Sequence, residues 1–394
     1  MSIKKNLVVV TSSYPSFNND FTGGGNFVHE LCCQLKIEYN VTVLTPYLPL
    51  TEVRENIDGI DIIRFKYFYN HSYFNNGIFS AIKRKKIKIL IMPFYILFAV
   101  VNLHKVIYEK RPSLIHAHWL LLSGLIVVLH NMLTFSNIKT IITCHGSDLN
   151  YFVSSPLCKI KQFIIRNSNL VTVVSKPLKR IVTGISPKLK HIPVIPMGFN
   201  INRLITNNSS TYIEKSPKVF NLLYVGRLSE EKGIWDLVKC MTLLKKFSSI
   251  RLTICGTGEI EEKLTKYSQL KKLNIDFMGY VNENIANFYN NSDLIILPSH
   301  SEGSPVVLAE SFYFNKVLLV SDIPIFIDLI GSTDRGFIFE KANVNDLRNK
   351  ILDIKNQYDI YKGYIGIDNK EFAITNFKWE NVGKKFLQEF KQLL

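Results

Sequence analysis

Two carboxylates, Glu302 and Glu310, stand with seven residues between them in the string His300-Ser-Glu-Gly-Ser-Pro-Val-Val-Leu-Ala-Glu310. Upstream, two cations stand five apart in Gly226-Arg-Leu-Ser-Glu-Glu-Lys-Gly233. Such a turn lets Arg227 and Lys232 converge on one diphosphate. Arginine offers a planar fork and lysine a compact charge. Gly226 and Gly233 let the backbone turn sharply. On the carboxylate side, Gly303 lets the backbone approach a ligand, and free N–H groups at a helix start hold anionic or hydroxyl oxygens. Together these residues suit a phosphorylated substrate whose leaving group gains negative charge.

The surrounding pattern says what positions them. Residues 293–297 form an apolar run ended by Pro298, which reads as a buried strand of a parallel sheet. Ser304 is expected to cap a helix and Pro305 to be its first residue, with the helix running over 305–314. Glu302 then lies in a loop at the carboxyl end of a strand, where open α/β sheets bind ligands. Glu310 lies about two turns into the helix. Residues 219–225 read as the strand before the Arg227–Lys232 turn, with a helix from Ile234. Strands at 251–255 and 275–280 follow; the first leads into Gly256-Thr-Gly258 and the second contains Met278 and Gly279. Strands at 317–321 and 336–339 close this half.

The first half repeats the alternation. A strand at 6–11 leads through Gly23-Gly24-Gly25 to a helix at 27–35, an arrangement that cradles phosphates. The glycines are contiguous, so this is not the dinucleotide fingerprint, which disfavours a dinucleotide-dependent oxidoreductase. Strands are expected at 41–45, 60–65, 113–117, 139–144, 170–174 and 191–195. His118 and Trp119 follow the third of these, and His145-Gly-Ser-Asp148 follows the fourth. His116 and His118 alternate along a strand and share one face. They read as wall residues and not as metal ligands, because no carboxylate or Cys is spaced to complete a set. The polar stretch 201–217 reads as a linker. Strand–helix alternation on both sides of it argues two doubly wound α/β domains facing across a cleft: 1–200, 218–375, and a last helix at 376–394 returning to the first.

Composition sets outer limits. The 394 residues suffice for two domains, and 47% hydrophobic content fills both cores. The six Cys show no C-x-x-C pair, which suits reduced thiols in a cytoplasm. The run 7–10 is too short for a signal peptide. A formal charge of +16 points to an anionic partner. Lys83, Arg84, Lys85, Lys86 and Lys88 precede an apolar run from 89 to 103 that holds Pro93 and is too short and broken to span a bilayer. A helix with basic residues beside apolar ones suits the surface of an anionic leaflet. A nucleic-acid-binding module would explain the charge but not the Glu pair.

These strings resemble family 4 retaining glycosyltransferases, which have the GT-B fold. Glu302 and Glu310 match the family's E-x7-E motif, and Gly226 to Gly233 its G-R-x4-K-G signature. Phe277-Met-Gly-Tyr-Val281 is similar to F-x-G-x-[VL], Thr143-Cys-His-Gly-Ser-Asp148 to the H-G-x-D segment, and Pro196-Met-Gly-Phe-Asn200 to P-x-G-[IV]-D, with Asn200 where Asp is usual. The resemblance implies a retaining transfer of a sugar from a nucleotide-diphosphate sugar to a surface polysaccharide or lipid-linked acceptor. It implies Arg227 and Lys232 on the diphosphate, Glu302 on the sugar hydroxyls and His145 lining the sugar site. Glu310 falls on the ribose. Gly24, Gly25, Gly226, Gly256, Gly258, Met278, Gly279, Gly303, Ser304, Val306 and Val307 fall on the donor. His118, Asp148 and Asn200 fall on the acceptor side. Two cations can replace a divalent metal, so no metal or other cofactor is expected. A nucleotide-sugar epimerase of the same fold would share the donor residues, but would need carboxylate acid/base pairs facing the sugar.

Overall fold

The computed structural model describes residues 4–16, 25–49, 51–67, 90–150, 157–201, 204, 219–281, 284–331, 335–364 and 368–394. Gly24, the basic run at 83–88 and most of 201–217 lie outside them. The chain divides into two compact units, Met1–Gly198 with Trp379–Leu394, and Phe199–Lys378. Asn200, read from the sequence as the end of the first domain, belongs to the second unit.

The first unit is built on seven strands: β1 (Lys5–Thr11), β2 (Tyr39–Pro46), β3 (Arg54–Ile57), β4 (Ile60–Phe65), β5 (Leu114–His118), β6 (Lys139–Cys144) and β7 (Leu170–Val173). Their order across the sheet is β3-β4-β2-β1-β5-β6-β7. All neighbours are parallel except β3 and β4. Leu7, Val8 and Val9 are fully buried, because helices cover both faces of a parallel sheet and each residue needs an apolar side chain. The sequence pattern misses β3: Arg-Glu-Asn-Ile is an edge strand with no buried residue and so no apolar run. The strand expected at 191–195 is instead a single bridge, Val173 to Val194. Pro193 and Pro196 remove the N–H donors that a longer ladder needs.

The helix Trp379–Leu393 packs in this same unit. It buries Trp379, Val382, Phe386 and Phe390. Gly383 meets the helix Asn26–Leu35 so closely that a methyl there would lie 2.6 Å from Gln34 Cβ.

The second unit holds six parallel strands: β8 (Phe220–Val225), β9 (Ile250–Cys255), β10 (Ile275–Phe277), β11 (Leu294–Leu297), β12 (Val317–Ser321) and β13 (Phe337–Phe339). The order is β10-β9-β8-β11-β12-β13. Sheet growth reverses between β8 and β11, as it does between β1 and β5. Crevices for ligands open at such switch points, outside the carboxyl ends of the strands. Two expected boundaries move. β10 stops at Phe277, so Met278 and Gly279 are loop residues. The helix after β11 is Val306–Tyr313, with extended Pro305 (ψ 99°), and not Ser304, as its N-cap.

Candidate functional site

Each switch point carries one cluster. In the second unit, the loops after β8 and β11 are locked backbone to backbone. Gly233 sits at φ +63° with Pro298 O where a Cβ would be, 1.8 Å from it. Any side chain would push the loops apart, so glycine is required here. The His300 N–H donates to Glu231 O (2.9 Å), and the His300 ring contacts Asp236 at 2.7 Å. The Tyr224 hydroxyl donates to Arg227 O at 2.9 Å and holds the start of the turn.

This framework brings Lys232 to Glu302. The Lys232 ammonium donates to both carboxylate oxygens at 2.7 Å, and the Ser299 hydroxyl donates to Glu302 Oε1 at 2.7 Å. Arg227 pairs with Glu231 four residues on, and its side chain is 57% exposed. The exposure matters: an ion pair so open to water contributes little stability and exchanges readily for a stronger anion. The cluster therefore holds two cations and two carboxylates, with Lys232 fixed and Arg227 open. Sequence reasoning placed Lys232 and Glu302 on different parts of a ligand and did not foresee their direct pairing, which needs β8 and β11 to be neighbours.

The glycine loops gather beside this cluster. The Gly226 N–H donates to Cys255 O (3.0 Å), Leu228 N–H to Thr257 O (2.9 Å) and Gly256 N–H to Gly279 O (2.7 Å). The turns after β8, β9 and β10 thus continue the sheet ladder beyond the strands. Gly256, at φ +148°, has Gly226 O 1.9 Å from where a Cβ would stand. Met278 is 42% exposed at this edge. Gly303 and Ser304 form the bend before the helix, and Val306 and Val307 form its first turn, where N–H groups have no acceptor within the helix. Glu310 is buried, and the Tyr289 hydroxyl donates to its Oε2 at 2.7 Å. Tyr289, on the helix Ile285–Asn291, had no sequence signal that marked it.

In the first unit the cluster is uncharged. His118 Nδ1 meets His145 Nε2 at 2.9 Å, with the rings stacked at 5.1 Å. One ring donates and the other accepts, so protonating both would set two N–H groups against each other. His116 Nε2 meets Thr143 Oγ1, which meets Thr172 Oγ1, each at 2.7 Å. The His116 ring also lies against Phe386 and Phe390 of the last helix (5.3 and 5.4 Å). Burial pushes His116 and His145 down to about 3, and His118 well below its ordinary value; neighbouring imidazoles add to the shift for His118 and His145. Phe27 and Trp119 flank His145 at 4.8 and 4.9 Å. Trp119 adopts φ +69°, strained for a bulky residue, before the π-helical turn Leu120–Gly124.

Asp148 holds this arrangement from below. It is fully buried and accepts N–H bonds from Leu120 (2.7 Å), Gly146 (2.9 Å) and His145 (3.2 Å). Burial raises its pKa, and the backbone donors oppose that rise. Its oxygens face the chain, so its place is to fix the two loops that carry Trp119 and His145. Gly25 caps the neighbouring helix Asn26–Leu35. Asn200 is half-buried and belongs to the second unit.

Two family models match in chain order: Glycosyltransferase Family 4 over residues 21–203, and Glycosyl transferases group 1 over 209–365. The chain belongs to this family of glycosyltransferases. An uncharacterised glycosyltransferase of Methanocaldococcus jannaschii is 26% identical over 290 residues, covering 71% of this chain and 77% of the relative. The capsular polysaccharide biosynthesis glycosyltransferase CapM of Staphylococcus aureus is 25% identical over 258 residues, 61% of this chain and 67% of CapM. Among solved structures, sucrose-phosphate synthase of Thermosynechococcus elongatus superposes with a TM-score of 0.79 at 19% identity, over 99% of both chains. Anabaena HepE in complex with UDP gives 0.72 at 14%, over 98% of this chain and 100% of that one. The fold of the glycosyltransferase is GT-B.

Among its described residues, the glycosyltransferase has one set of three donors spaced for a metal ion, His29, Cys33 and Asp58. The set lies on the helix Asn26–Leu35 and the β3–β4 turn. Both nitrogens of His29 already have partners, the Tyr14 hydroxyl at 2.8 Å and Asp58 Oδ2 at 3.0 Å. The hydrogen-bond chain accounts for the geometry without an ion.

Proposed function

We propose that this glycosyltransferase moves a sugar from a nucleotide-diphosphate sugar onto a growing surface polysaccharide or its lipid-linked precursor. The observation that carries the reading is the Lys232–Glu302 pair beside open Arg227 at the β8–β11 switch point. Kinship with CapM supports the polysaccharide acceptor. The HepE complex with UDP supports a nucleotide donor.

In this reading the sugar–phosphate bond breaks as the acceptor hydroxyl forms its bond to the same face of the anomeric carbon. The hydroxyl proton passes to the leaving phosphate oxygen. Arg227 exchanges Glu231 for the diphosphate, and Lys232 faces the same charge as preorganised positive groups do best. Lys232 also holds Glu302 in place to accept from sugar hydroxyls. The N–H groups of Val306 and Val307 meet phosphate oxygens at a helix start, and Glu310 meets the ribose. With two cations at the diphosphate, no divalent metal is needed. In the first unit, neutral His145 between Phe27 and Trp119 offers one hydrogen bond and two aromatic faces, which suits a sugar.

The test begins with nucleotide sugars screened by thermal shift. A specific donor at 100 times its dissociation constant adds about 2.7 kcal/mol of stability. Transfer is then run in excess chelator, and the product's anomeric configuration is read by NMR. Inversion at that carbon overturns the front-face mechanism, and activity restored only by magnesium or manganese overturns its metal independence.

A further inference from the structure

Glu310 takes its direction from a residue on another helix. Its side chain is buried, and a carboxylate so placed needs hydrogen-bond donors. Tyr289 lies on the helix Ile285–Asn291, which precedes β11. Glu310 lies on the helix Val306–Tyr313, which follows β11. The fold brings the two together across 21 residues of chain, and the Tyr289 hydroxyl donates to Glu310 Oε2 at 2.7 Å. A carboxylate offers about four acceptor sites, and this bond takes one.

The contact is held from both ends. The Tyr289 ring is fully buried and nearly parallel to the Phe314 ring, with centroids 4.9 Å apart and planes 11° apart. Phe314 stands one turn after Glu310, and its N–H donates to Glu310 O at 3.1 Å. Tyr289 therefore lies along the second helix, with its ring on Phe314 and its hydroxyl on Glu310. The end of its own helix is tied down as well. The Ser292 hydroxyl donates to Tyr289 O at 2.8 Å. The Lys316 ammonium donates to Asn290 O at 2.9 Å and Ser292 O at 3.1 Å, a cation at the carbonyl end of a helix. Phenylalanine would fill the same core space with no hydroxyl to satisfy. The hydroxyl instead fixes a flexible carboxylate before any ligand arrives, which lowers the ordering cost of binding.

We propose that Tyr289 is a positioning residue for donor recognition: it holds Glu310 in the direction in which the carboxylate accepts from a ribose hydroxyl. This rests on the reading that places Glu310 at the ribose. Tyr289 is fully buried and acts only through Glu310. Its hydroxyl should therefore matter for ligands that carry the ribose hydroxyl and not for ligands that lack it. Such a coupling separates positioning from a general loss of stability.

The experiment is calorimetry of the full chain with UDP, GDP, ADP and CDP, and with the 2′- and 3′-deoxy forms of the one that binds. The wild type is expected to prefer the ribose form over one deoxy form by roughly tenfold or more, and Glu310→Ala to lose that preference. Tyr289→Phe keeps the ring against Phe314. It should lower the preference about fivefold and leave affinity for the deoxy form within about twofold. Retained binding of the deoxy form also shows that the variant is folded. Equal weakening of both forms makes Tyr289 merely structural and overturns the proposal. So does an unchanged preference in Tyr289→Phe where Glu310→Ala loses it, and Glu310 then still stands at the ribose. A wild type that binds none of the four, or binds ribose and deoxy forms alike, overturns the ribose reading and the proposal with it.

Discussion

The two switch-point clusters solve opposite electrostatic problems. After β8 and β11, Arg227 pairs with Glu231 and Lys232 with Glu302, in a rim where water reaches Arg227. After β5 and β6, His116, His118 and His145 lose their charge by burial. A charged cluster can exchange internal partners for a phosphorylated ligand. A neutral one can line a pocket without attracting ions. The second unit should therefore answer to substitution of charge, and the first to pH.

The largest expected effect is on the first unit. The folded pKa of His116 and His145, about 3, lies below the unfolded value of 6.5. The unfolded chain thus binds more protons between those values, and stability falls as pH drops from 6.5 towards 3. At about 1.4 kcal/mol per pKa unit, two such histidines amount to several kcal/mol. Denaturant titrations of wild type and of His116→Asn at intervals across this range should give a shallower pH slope for the variant. Equal slopes would remove buried imidazole as the basis of the contrast.

Next comes Lys232→Ala. It removes a preorganised cation and strips Glu302 of its partner, so turnover should fall by roughly 100-fold or more. Steady-state transfer rates decide it. If Arg227→Ala costs as much while Lys232→Ala costs nothing, the fixed and open cations have been assigned the wrong way round.

Asp148→Asn sharpens the other side. An amide NH2 must replace one oxygen that now accepts backbone N–H bonds, at a cost of about 1–3 kcal/mol. Chemical denaturation measures that loss. Donor affinity should stay unchanged, because Asp148 faces the chain and not a ligand. Weaker donor binding with unaltered stability would move Asp148 into the binding surface.

The smallest effect is expected from Glu231→Gln. Its exposed pair with Arg227 contributes no more than about 1 kcal/mol. Freed from Glu231, Arg227 should bind nucleoside diphosphate slightly more tightly by calorimetry. A marked loss of affinity would show that Glu231 orients Arg227 and does not compete for it.

Legibility differed between the units for a physical reason. The β8 turn is local: its glycines, cations and flanking apolar runs fall within a few residues, so spacing alone set Arg227 and Lys232 in one turn after a strand. The histidine cluster is assembled from two strand ends and braced by Phe386 and Phe390, more than two hundred residues away in sequence. Spacing foretold that His116 and His118 share a strand, but not that His145 would meet His118 or that Asp148 would turn inward. β3 stayed invisible because a polar edge strand leaves no hydrophobic trace. Ser304 looked like a cap, yet the helix began beyond Pro305, whose extended ψ delays the first turn.

By itself, the sequence determined the strand–helix alternation, the apolar runs that must be buried on both faces, and the loops that carry glycine and charge. Those depend on neighbours along the chain. The tertiary structure alone decided which loops meet. β8 lies beside β11 only because the sheet reverses its growth there, and that adjacency puts Lys232 on Glu302 across seventy residues. It also decided which histidines lose their charge, since burial is a property of the packed unit and not of any residue or its spacing.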